Sequence, residues 1–251
     1  MSFIGGLGMR KWFEHGVAYG DLPIEPWMRG PGGGLRIGLG AILTDLVIGI
    51  PAAGRTASTV ELSVRWTAGA PVVGPVTSNG RILKWGERLM FGDSSLTDGT
   101  GGVIGWAVGT FVTGEVGAAS DLTTTPRQWG GLCEPHVSVE AALQVEVVGP
   151  GVVVMPVRPE LMNWPGGSVQ GGIQACLAEL AAERALPGPC EITDLAIRYV
   201  NRIRIGPARA VATALPGPGT ERTVRVDVLD AGDGDRLVSH VLAVACPIDP
   251  P

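Results

Sequence analysis

The sequence has little basic charge, few cysteines and no long apolar run. Its 251 residues carry 19 Lys and Arg against 24 Asp and Glu, which gives a net charge of −5. Proteins that bind nucleic acids usually present a basic patch, so this charge argues against a nucleic-acid partner. The longest uncharged apolar stretch, 101–114, is shorter than the ~20 residues that a membrane-spanning helix needs, and we predict no membrane span.

The cysteines and histidines lack the spacing of metal ligands, and so few cysteines do not form a disulfide framework. Free thiols fit a reducing compartment, and the sequence therefore predicts a cytoplasmic protein without a metal. Neither the Gly-x-Ser-x-Gly turn of serine hydrolases nor a phosphate-binding loop ending in Lys-Ser/Thr is present. We predict no cofactor. The four cysteines are Cys133, Cys176, Cys190 and Cys246.

What the sequence has instead is one helix pattern written twice. In the second half, Gln170 precedes two glycines and an apolar helix in which Glu179 follows nine residues later. In the first half, Arg36 precedes a glycine-containing apolar helix in which Asp45 stands at the same spacing. A carboxylate in an apolar helix is costly to bury, because its charged form loses hydration. Two such acids, each after a glycine-rich helix start, indicate a catalytic role rather than a structural one.

The repeat extends over most of the chain and predicts a duplicated unit of roughly 110–120 residues. Each unit has a strand, a tryptophan-bearing loop, the apolar helix and then several strands. One helix followed by antiparallel strands, twice, is typical of an α+β fold in which a curved sheet wraps each helix. We expect an N-terminal unit at 1–113, a linker at 114–133 and a C-terminal unit at 134–251. The matched pairs, at spacings of 132 to 134, are Asp45 with Glu179, Arg65-Trp66 with Arg198-Tyr199, Gly74-Pro75 with Gly206-Pro207, and Asp98 with Asp230.

The most specific stretch is 163–186, with an asparagine loop, a glycine pair and a helix that carries an acid. This stretch resembles the hotdog-fold thioesterases, specifically the phenylacetate-pathway-like acyl-CoA thioesterase group. With the first half included, the resemblance covers about residues 15–113 and 134–247. It implies a double hotdog: an α+β fold of two repeats, each with a long central helix wrapped by a curved antiparallel sheet.

Two departures from the family pattern affect the site that the resemblance implies. The family's histidine before the glycines is Gln170 in the second half and Arg36 in the first. Its loop asparagine is matched by Asn163 and by Arg29. In this family each site lies across the interface of two units, with the loop and helix start from one and the acid from the other. Site one would therefore combine Asn163, Gln170 and Gly171 with Asp45, and site two would combine Arg29, Arg36 and Gly38 with Glu179.

The two sites are unequal, and we predict that site one carries the chemistry. The backbone N–H of Gly171, at the positive end of its helix, would polarise a thioester carbonyl. Asp45 would either activate a water or attack the carbonyl directly, and Thr59 would offer it a hydroxyl. In site two, the arginines would pair with Glu179, lower its pKa and leave a structural ion pair.

The leading interpretation is an acyl-CoA thioesterase-like hydrolase that cleaves acyl-CoA to a free acid and CoA. Trp27 and Trp164 hold the same position in the two repeats and would wall the acyl pocket. The rival interpretation is a non-catalytic acyl-CoA- or lipid-binding hotdog protein, which the replaced histidine favours. A homodimer of tandem chains is left open.

Structural explanations of the same residues also stand. Asp45 could face a solvent channel, and Glu179 with Glu183 one turn later could form a solvated acidic face. Gln170 and the glycines after it could simply make a tight turn into the helix. A third interpretation is that the protein serves only to pair through its sheet, but this would not explain an acid at Asp45.

Overall fold

Two long helices and a sheet of thirteen strands make up the described part of the chain. The computed structural model describes residues 2–49, 55–67, 72–116, 127–128, 136–163, 167–217 and 220–248. The helices are α1 (Phe3–Gly6), α2 (Ile37–Gly49), α3 (Val139–Leu143) and α4 (Gly171–Arg184), of which α2 and α4 are the long ones.

The strands follow the same order in both halves of the chain, and all neighbours pair antiparallel. The first seven are β1 (Arg10–Glu14), β2 (Val17–Leu22), β3 (Arg55–Trp66), β4 (Val76–Trp85), β5 (Leu89–Thr97), β6 (Val103–Val116) and β7 (Arg127–Gln128). The next eight are β8 (Glu146–Gly149), β9 (Val152–Met155), β10 (Met162–Asn163), β11 (Ser168–Val169), β12 (Cys190–Tyr199), β13 (Ala208–Ala214), β14 (Arg222–Asp230) and β15 (Arg236–Pro247). The sheet runs β7-β1-β2-β4-β5-β6-β3-β12-β15-β14-β13-β9-β8, and β10 with β11 forms a separate hairpin.

Strands β3 and β12 join the two halves at the middle of the sheet. Ser63 on β3 lies opposite Ala196 on β12, and these residues are separated by the repeat spacing of 133. Residues related by the repeat face each other only at a symmetry axis, so a pseudo-two-fold axis passes between them. Two ion pairs stand on either side of this axis, Arg65 with Asp194 and Arg198 with Glu61. The duplicated α+β arrangement expected from the sequence is confirmed.

Helix α2 is enclosed almost completely because it has no polar side. Only Thr44 and Asp45 interrupt its apolar sequence, and ten of its residues are buried. A helix that is apolar all round must be covered on every side. Strands β2 to β6 cover one side of α2, and α4 covers the other. Helix α4 packs in the same way against β9, β12, β13, β14 and β15.

The two long helices cross at glycines, which lets their backbones touch. A Cβ on Gly38 of α2 would lie only 2.5 Å from the Cα of Cys176 on α4. A Cβ on Gly172 of α4 would lie 2.7 Å from the Cα of Ile42 on α2. The repeat spacing of 134 relates these contacts to each other. Asp45 follows the contact at Ile42, and Glu179 follows the contact at Cys176, by about one turn, so each comes close to the start of the other helix.

Strand pairing continues into the segment predicted as a linker. Strand β6 reaches Val116, and Gln128 of β7 lies opposite Arg10 of β1. The division into 1–113, 114–133 and 134–251 therefore remains a proposal. In the described residues, no helix combines the length and the apolar character needed to cross a membrane.

The helix crossing predicts a strong effect of a single methyl group. We expect Gly38→Ala to lower the free energy of unfolding by about 1–3 kcal/mol, because the new Cβ meets backbone atoms that cannot yield easily. Gly149→Ala is the matched control, since a Cβ at Gly149 meets nothing within 4 Å. Denaturant unfolding of both variants measures the difference. Equal stability of the two variants would contradict the close helix contact.

Candidate active site

Three side chains from three elements meet at Asp45. The Thr59 hydroxyl, on β3, donates to Asp45 Oδ1 at 2.5 Å. The Gln170 side-chain amide, at the start of α4, donates to Asp45 Oδ2 at 3.0 Å. Asp45 itself stands on α2 and keeps partial exposure. The structure thus brings together residues from both halves of the chain, as expected for site one.

A β-bulge turns Thr59 toward Asp45. On β3, Thr59 lies opposite Phe111 and Glu61 lies opposite Thr110, so two steps on β3 match one step on β6. Side chains alternate between the faces of a strand, and the extra residue reverses the alternation beyond it. Phe111 is buried on the helix-facing side of the sheet. Its partner Thr59 therefore faces the helices, whereas Glu61 faces outward.

The amide of Gln170 is oriented by two contacts at once. Gln170 is the N-cap of α4, and its Oε1 accepts a hydrogen bond from the backbone N–H of Ile173 at 3.1 Å. Since the oxygen is used for the cap, the NH₂ group points to Asp45. A histidine could not cap the helix with a carbonyl oxygen in this way. Gln170 thereby links the start of α4 to the acid of α2.

Asp45 is held by neutral donors, and no ion pair to it occurs among the described residues. Burial raises the pKa of Asp45 to about 6, and the hydrogen bond from Thr59 opposes part of that rise. A carboxylate with a pKa near neutrality is a better proton acceptor than an ordinary aspartate. Asp45 is therefore suited to take a proton from a bound water.

The first two N–H groups of α4 are free. Neither Gly171 nor Gly172 has a hydrogen-bond partner for its backbone N–H among the described residues, whereas the N–H of Ile173 is used by the cap. Free N–H groups at a helix start attract negative charge. Gly171 is also partly exposed. A carbonyl oxygen could bind these two groups beside the acid.

Site two has the same layout, but its helix start is already occupied. Glu179 Oε1 accepts from the N–H of Ile37 at 3.2 Å, and Oε2 accepts from the N–H of Gly38 at 2.9 Å. Glu179 is only 2% exposed. Its carboxylate thus occupies both N–H groups at the start of α2, whereas the corresponding two N–H groups of α4 in site one are free. A substrate carbonyl could not enter without displacing it.

Arg36 sits among three carboxylates in site two. Its Nη1 donates to Glu183 at 2.9 Å and lies 3.6 Å from Glu179, and its Nη2 lies 3.3 Å from Glu140. Burial and the neighbouring Glu179 carboxylate raise the pKa of Glu183 to about 8. Arg36 is thus the cation that the buried acids of site two share.

Each member of the Asp45 group has a different counterpart in site two. The repeat spacing of 133 to 134 matches Asp45 with Glu179, Thr59 with Ile192 and Gln170 with Arg36. Ile192 is buried and cannot donate a hydrogen bond. Site two thus lacks the hydroxyl and the neutral amide of site one and has a longer acid.

The comparisons identify the fold. No protein-family model matches the chain, and a search of curated proteins found no match. The structure aligns with the tesB protein of Mycobacterium avium subsp. paratuberculosis over 99% of this chain and 98% of that one, with a TM-score of 0.62 and 16% identity. The chain has a double hotdog fold.

Two further solved structures agree with this fold. The alignment with a hot dog fold protein of unknown function from Alicyclobacillus acidocaldarius covers 99% of this chain and 98% of that one, with a TM-score of 0.61 and 13% identity. The alignment with the 12:0-ACP thioesterase from Umbellularia californica covers 92% of this chain and 94% of that one, with a TM-score of 0.61 and 11% identity. At such identities the likeness establishes the double hotdog fold alone.

Two residues expected in the sites make no hydrogen bond or ion pair to the predicted acids among the described residues. Asn163 is exposed in the β10–β11 hairpin, and its side chain makes no hydrogen bond to the Asp45 group among the described residues. Arg29 donates to the carbonyl oxygens of Gly33 at 2.6 Å and Val72 at 3.1 Å instead of pairing with Glu179. The loops that carry them take their own hydrogen bonds, which a repeat pattern does not reveal.

Two expectations about site two need correction. Burial is the larger effect and leaves the pKa of Glu179 above its ordinary value, although Arg36 lies 3.6 Å from Glu179 and lowers that pKa as expected. Glu179 and Glu183 do not form a solvated face, because both side chains are nearly buried against Arg36. The apolar surroundings of the helix crossing decide both outcomes.

Of the two tryptophans expected to wall the acyl pocket, Trp27 is described by the structure. Trp27 is 5% exposed, and its ring packs edge-on against His136 with centroids 5.2 Å apart. Trp164 lies outside the described residues. Among those residues, no group of three or more His, Cys, Asp or Glu side chains is placed to hold a metal ion.

Sequence reasoning missed three residues of the two sites. Tyr199 lies against the start of α4, Glu140 contacts Arg36, and Ile192 replaces the threonine in site two. The repeat spacing could have revealed Ile192, because it stands 133 residues after Thr59. Glu140 comes from α3 and stands 104 residues after Arg36 in the sequence, so only the fold brings it to the site.

The raised pKa of Asp45 predicts a pH-dependent stability difference. The folded-state pKa of about 6 exceeds the ordinary 3.8, so the stabilisation from protonated Asp45 is present below pH 4 and lost as the pH rises through 6. The quantity to compare is the unfolding free energy of Asp45→Asn minus that of the unmodified protein. We expect this difference to rise by on the order of 2 kcal/mol from pH 4 to pH 7.5. Denaturant unfolding at both pH values measures this gain.

Asp98→Asn is the control with the opposite sign. The hydrogen bond from the Thr100 hydroxyl lowers the pKa of Asp98, so its carboxylate stabilises the fold as the pH rises. A relative stability of Asp45→Asn that does not change between the two pH values would show that Asp45 is not buried as described.

Proposed function

We propose that this protein hydrolyses acyl thioesters at site one, with no metal or organic cofactor. The observation that carries the proposal is the combination of a protonatable Asp45 with the free N–H groups of Gly171 and Gly172. Thr59 and Gln170 orient the carboxylate without neutralising it. The arrangement offers a base for water and a positive helix end for the oxygen that becomes negative.

The reaction needs only these groups. Asp45 takes a proton from a water as the water oxygen forms a bond to the carbonyl carbon. The carbonyl oxygen becomes negative and is stabilised by the N–H groups of Gly171 and Gly172. When the intermediate collapses, the carbon–sulfur bond breaks, and the proton on Asp45 passes to the departing thiolate. The products are a carboxylic acid and a thiol, and Asp45 is ionised again.

We assign Asp45 the role of base rather than nucleophile. Thr59 and Gln170 each donate to one of its oxygens. Both contacts reduce the nucleophilicity of the carboxylate and fix its plane, while its remaining lone pairs can still hold a water. Such an arrangement favours a positioned water as the attacking group.

CoA as the carrier of the acyl group is the finer part of the proposal. It rests on the resemblance of 163–186 to the phenylacetate-pathway-like group of hotdog thioesterases. Among the similar structures, the protein from Umbellularia californica is a 12:0-ACP thioesterase, so acyl carrier protein is the other carrier to test. We further propose that Trp27 and Trp164 wall the acyl pocket and that the protein is cytoplasmic.

The first test is release of free thiol from acyl-CoA and acyl-ACP esters, from acetyl and phenylacetyl to long-chain groups. We expect Asp45→Asn to lower kcat/KM about 10²–10⁴-fold, because the base is lost. Thr59→Val should also lower kcat, since it removes a hydrogen bond to Asp45 and keeps the shape of the side chain. Thr44→Val is its control, because the Thr44 hydroxyl donates only to carbonyl oxygens of its own helix.

The outcomes separate the enzyme from its rival. Turnover of at least one ester that is lost in Asp45→Asn and retained in Thr44→Val supports the proposal. Tight binding of an ester without turnover would identify a non-catalytic binding protein. Turnover that survives in Asp45→Asn would move the chemistry away from site one.

The pH profile is a second prediction. Because the base must be ionised and the pKa of Asp45 is about 6, kcat/KM should rise about tenfold per pH unit below 6 and level off above it. Initial rates between pH 4.5 and 8.5 measure the profile. A plateau that continues down to pH 4.5 would contradict the role of Asp45.

A further inference from the structure

Tyr199 has a buried hydroxyl that the proposed reaction has not yet used. It is the last residue of β12, and its Oη has no hydrogen-bond partner among the described residues. A buried tyrosine hydroxyl normally has a partner, because removing it from water without one costs free energy. An unpartnered hydroxyl next to a candidate site therefore indicates a group that bonds to something the site binds.

The ring of Tyr199 lies against the first residue of α4. A Cβ on Gly171 would be 2.9 Å from Cζ and 3.0 Å from Oη of the tyrosine, so the contact requires glycine at this position. The hydroxyl is thereby held against Gly171, the first residue of α4. The start of this helix thus has the phenol beside it as well as its own free N–H groups.

The hydroxyl keeps its proton under ordinary conditions. Burial, followed by the charge of the nearby Asp45, raises the pKa of Tyr199 well above its ordinary value. A phenol that stays protonated is a hydrogen-bond donor. Its partner in a bound substrate must be an acceptor, and a thioester offers its carbonyl oxygen.

The other half of the chain does not repeat this arrangement. The counterpart of Tyr199, at a spacing of 133, is Trp66. Its indole N–H is also buried without a partner among the described residues, but its ring lies over Gly40, about one turn inside α2. The start of α2 is capped by Glu179 instead. Only site one therefore combines a free helix start with a phenol.

We propose that the Tyr199 hydroxyl contacts the substrate and is the third donor, with the N–H groups of Gly171 and Gly172, to the thioester oxygen. The inference rests on the proposed function and deepens it. The hydroxyl strengthens the stabilisation of the negative oxygen when the water adds to the carbonyl. No proton leaves Tyr199 in this step.

Tyr199→Phe tests the proposal by removing one oxygen atom. We expect kcat/KM to fall about 10²-fold, as for the loss of one oxyanion donor. Thermal stability should be unchanged or higher, because the lost hydroxyl has no partner in the free protein. The sequence has two tyrosines, and Tyr19→Phe is the matched control, since Tyr19 stacks on Trp12 in β1 and β2. Tyr19→Phe should leave kcat/KM unchanged.

Two substrate analogues give a measurement that does not need turnover. The ketone analogue, with CH₂ in place of sulfur, keeps the carbonyl oxygen, whereas the thioether analogue lacks it. Tyr199→Phe should weaken binding of the ketone about tenfold, as expected for one hydrogen bond, and leave the thioether unaffected. A residue that only shapes the site would change both affinities alike.

The outcomes distinguish this inference from the proposed function. If the unmodified protein hydrolyses an ester and Tyr199→Phe is equally active, the role of Tyr199 is overturned and the proposed function stands. If the unmodified protein hydrolyses none, the proposed function is overturned, and a selective loss of ketone binding still supports the Tyr199 contact. Failure of the unmodified protein to bind either analogue overturns both.

Discussion

The close crossing of the two long helices is the constraint on which both sites depend. Gly38 and Gly172 let the backbones touch, and the contacts with Cys176 and Ile42 set how far each helix slides along the other. Because each acid lies one turn beyond a contact, the crossing brings the acid of one helix to the start of the other. A wider separation would take from each carboxylate the donors that it finds at the start of the other helix, which is costly in apolar surroundings.

Small differences between the repeats then make the two helix starts unlike. Glu179 has one methylene more than Asp45 and reaches the backbone N–H groups of α2, where it acts as a permanent cap. Asp45 is held instead by Thr59 and Gln170, and the N–H groups of α4 stay free. The same fold thus supports site two, in which the helix N–H groups are occupied by an acid, and site one, in which they are free.

The two acids also represent two ways of keeping a carboxyl group inside a protein. Glu179 is placed beside Arg36, whose charge is shared with further carboxylates, and such a cluster stabilises one arrangement without leaving room for a ligand. Asp45 has hydrogen bonds but no cation, so its pKa rises and its proton becomes exchangeable near neutral pH. A proton acceptor with free donors beside it is the arrangement from which we propose acyl-thioester hydrolysis.

The sequence by itself determined the duplication and the two apolar helices, with an acid nine residues after Gln170 and after Arg36. These follow from spacing and composition, because a repeated pattern predicts repeated elements. The pairing of Asp45 with the helix start at Gln170 followed from the resemblance to the hotdog-fold thioesterases. Only the tertiary structure decided which side chains complete each site. The bulge that turns Thr59 inward, the cap that Glu179 makes, and the positions of Glu140, Arg29, Asn163 and Tyr199 depend on contacts between distant segments. Local sequence patterns do not encode such contacts, since they depend on how closely the helices and strands pack.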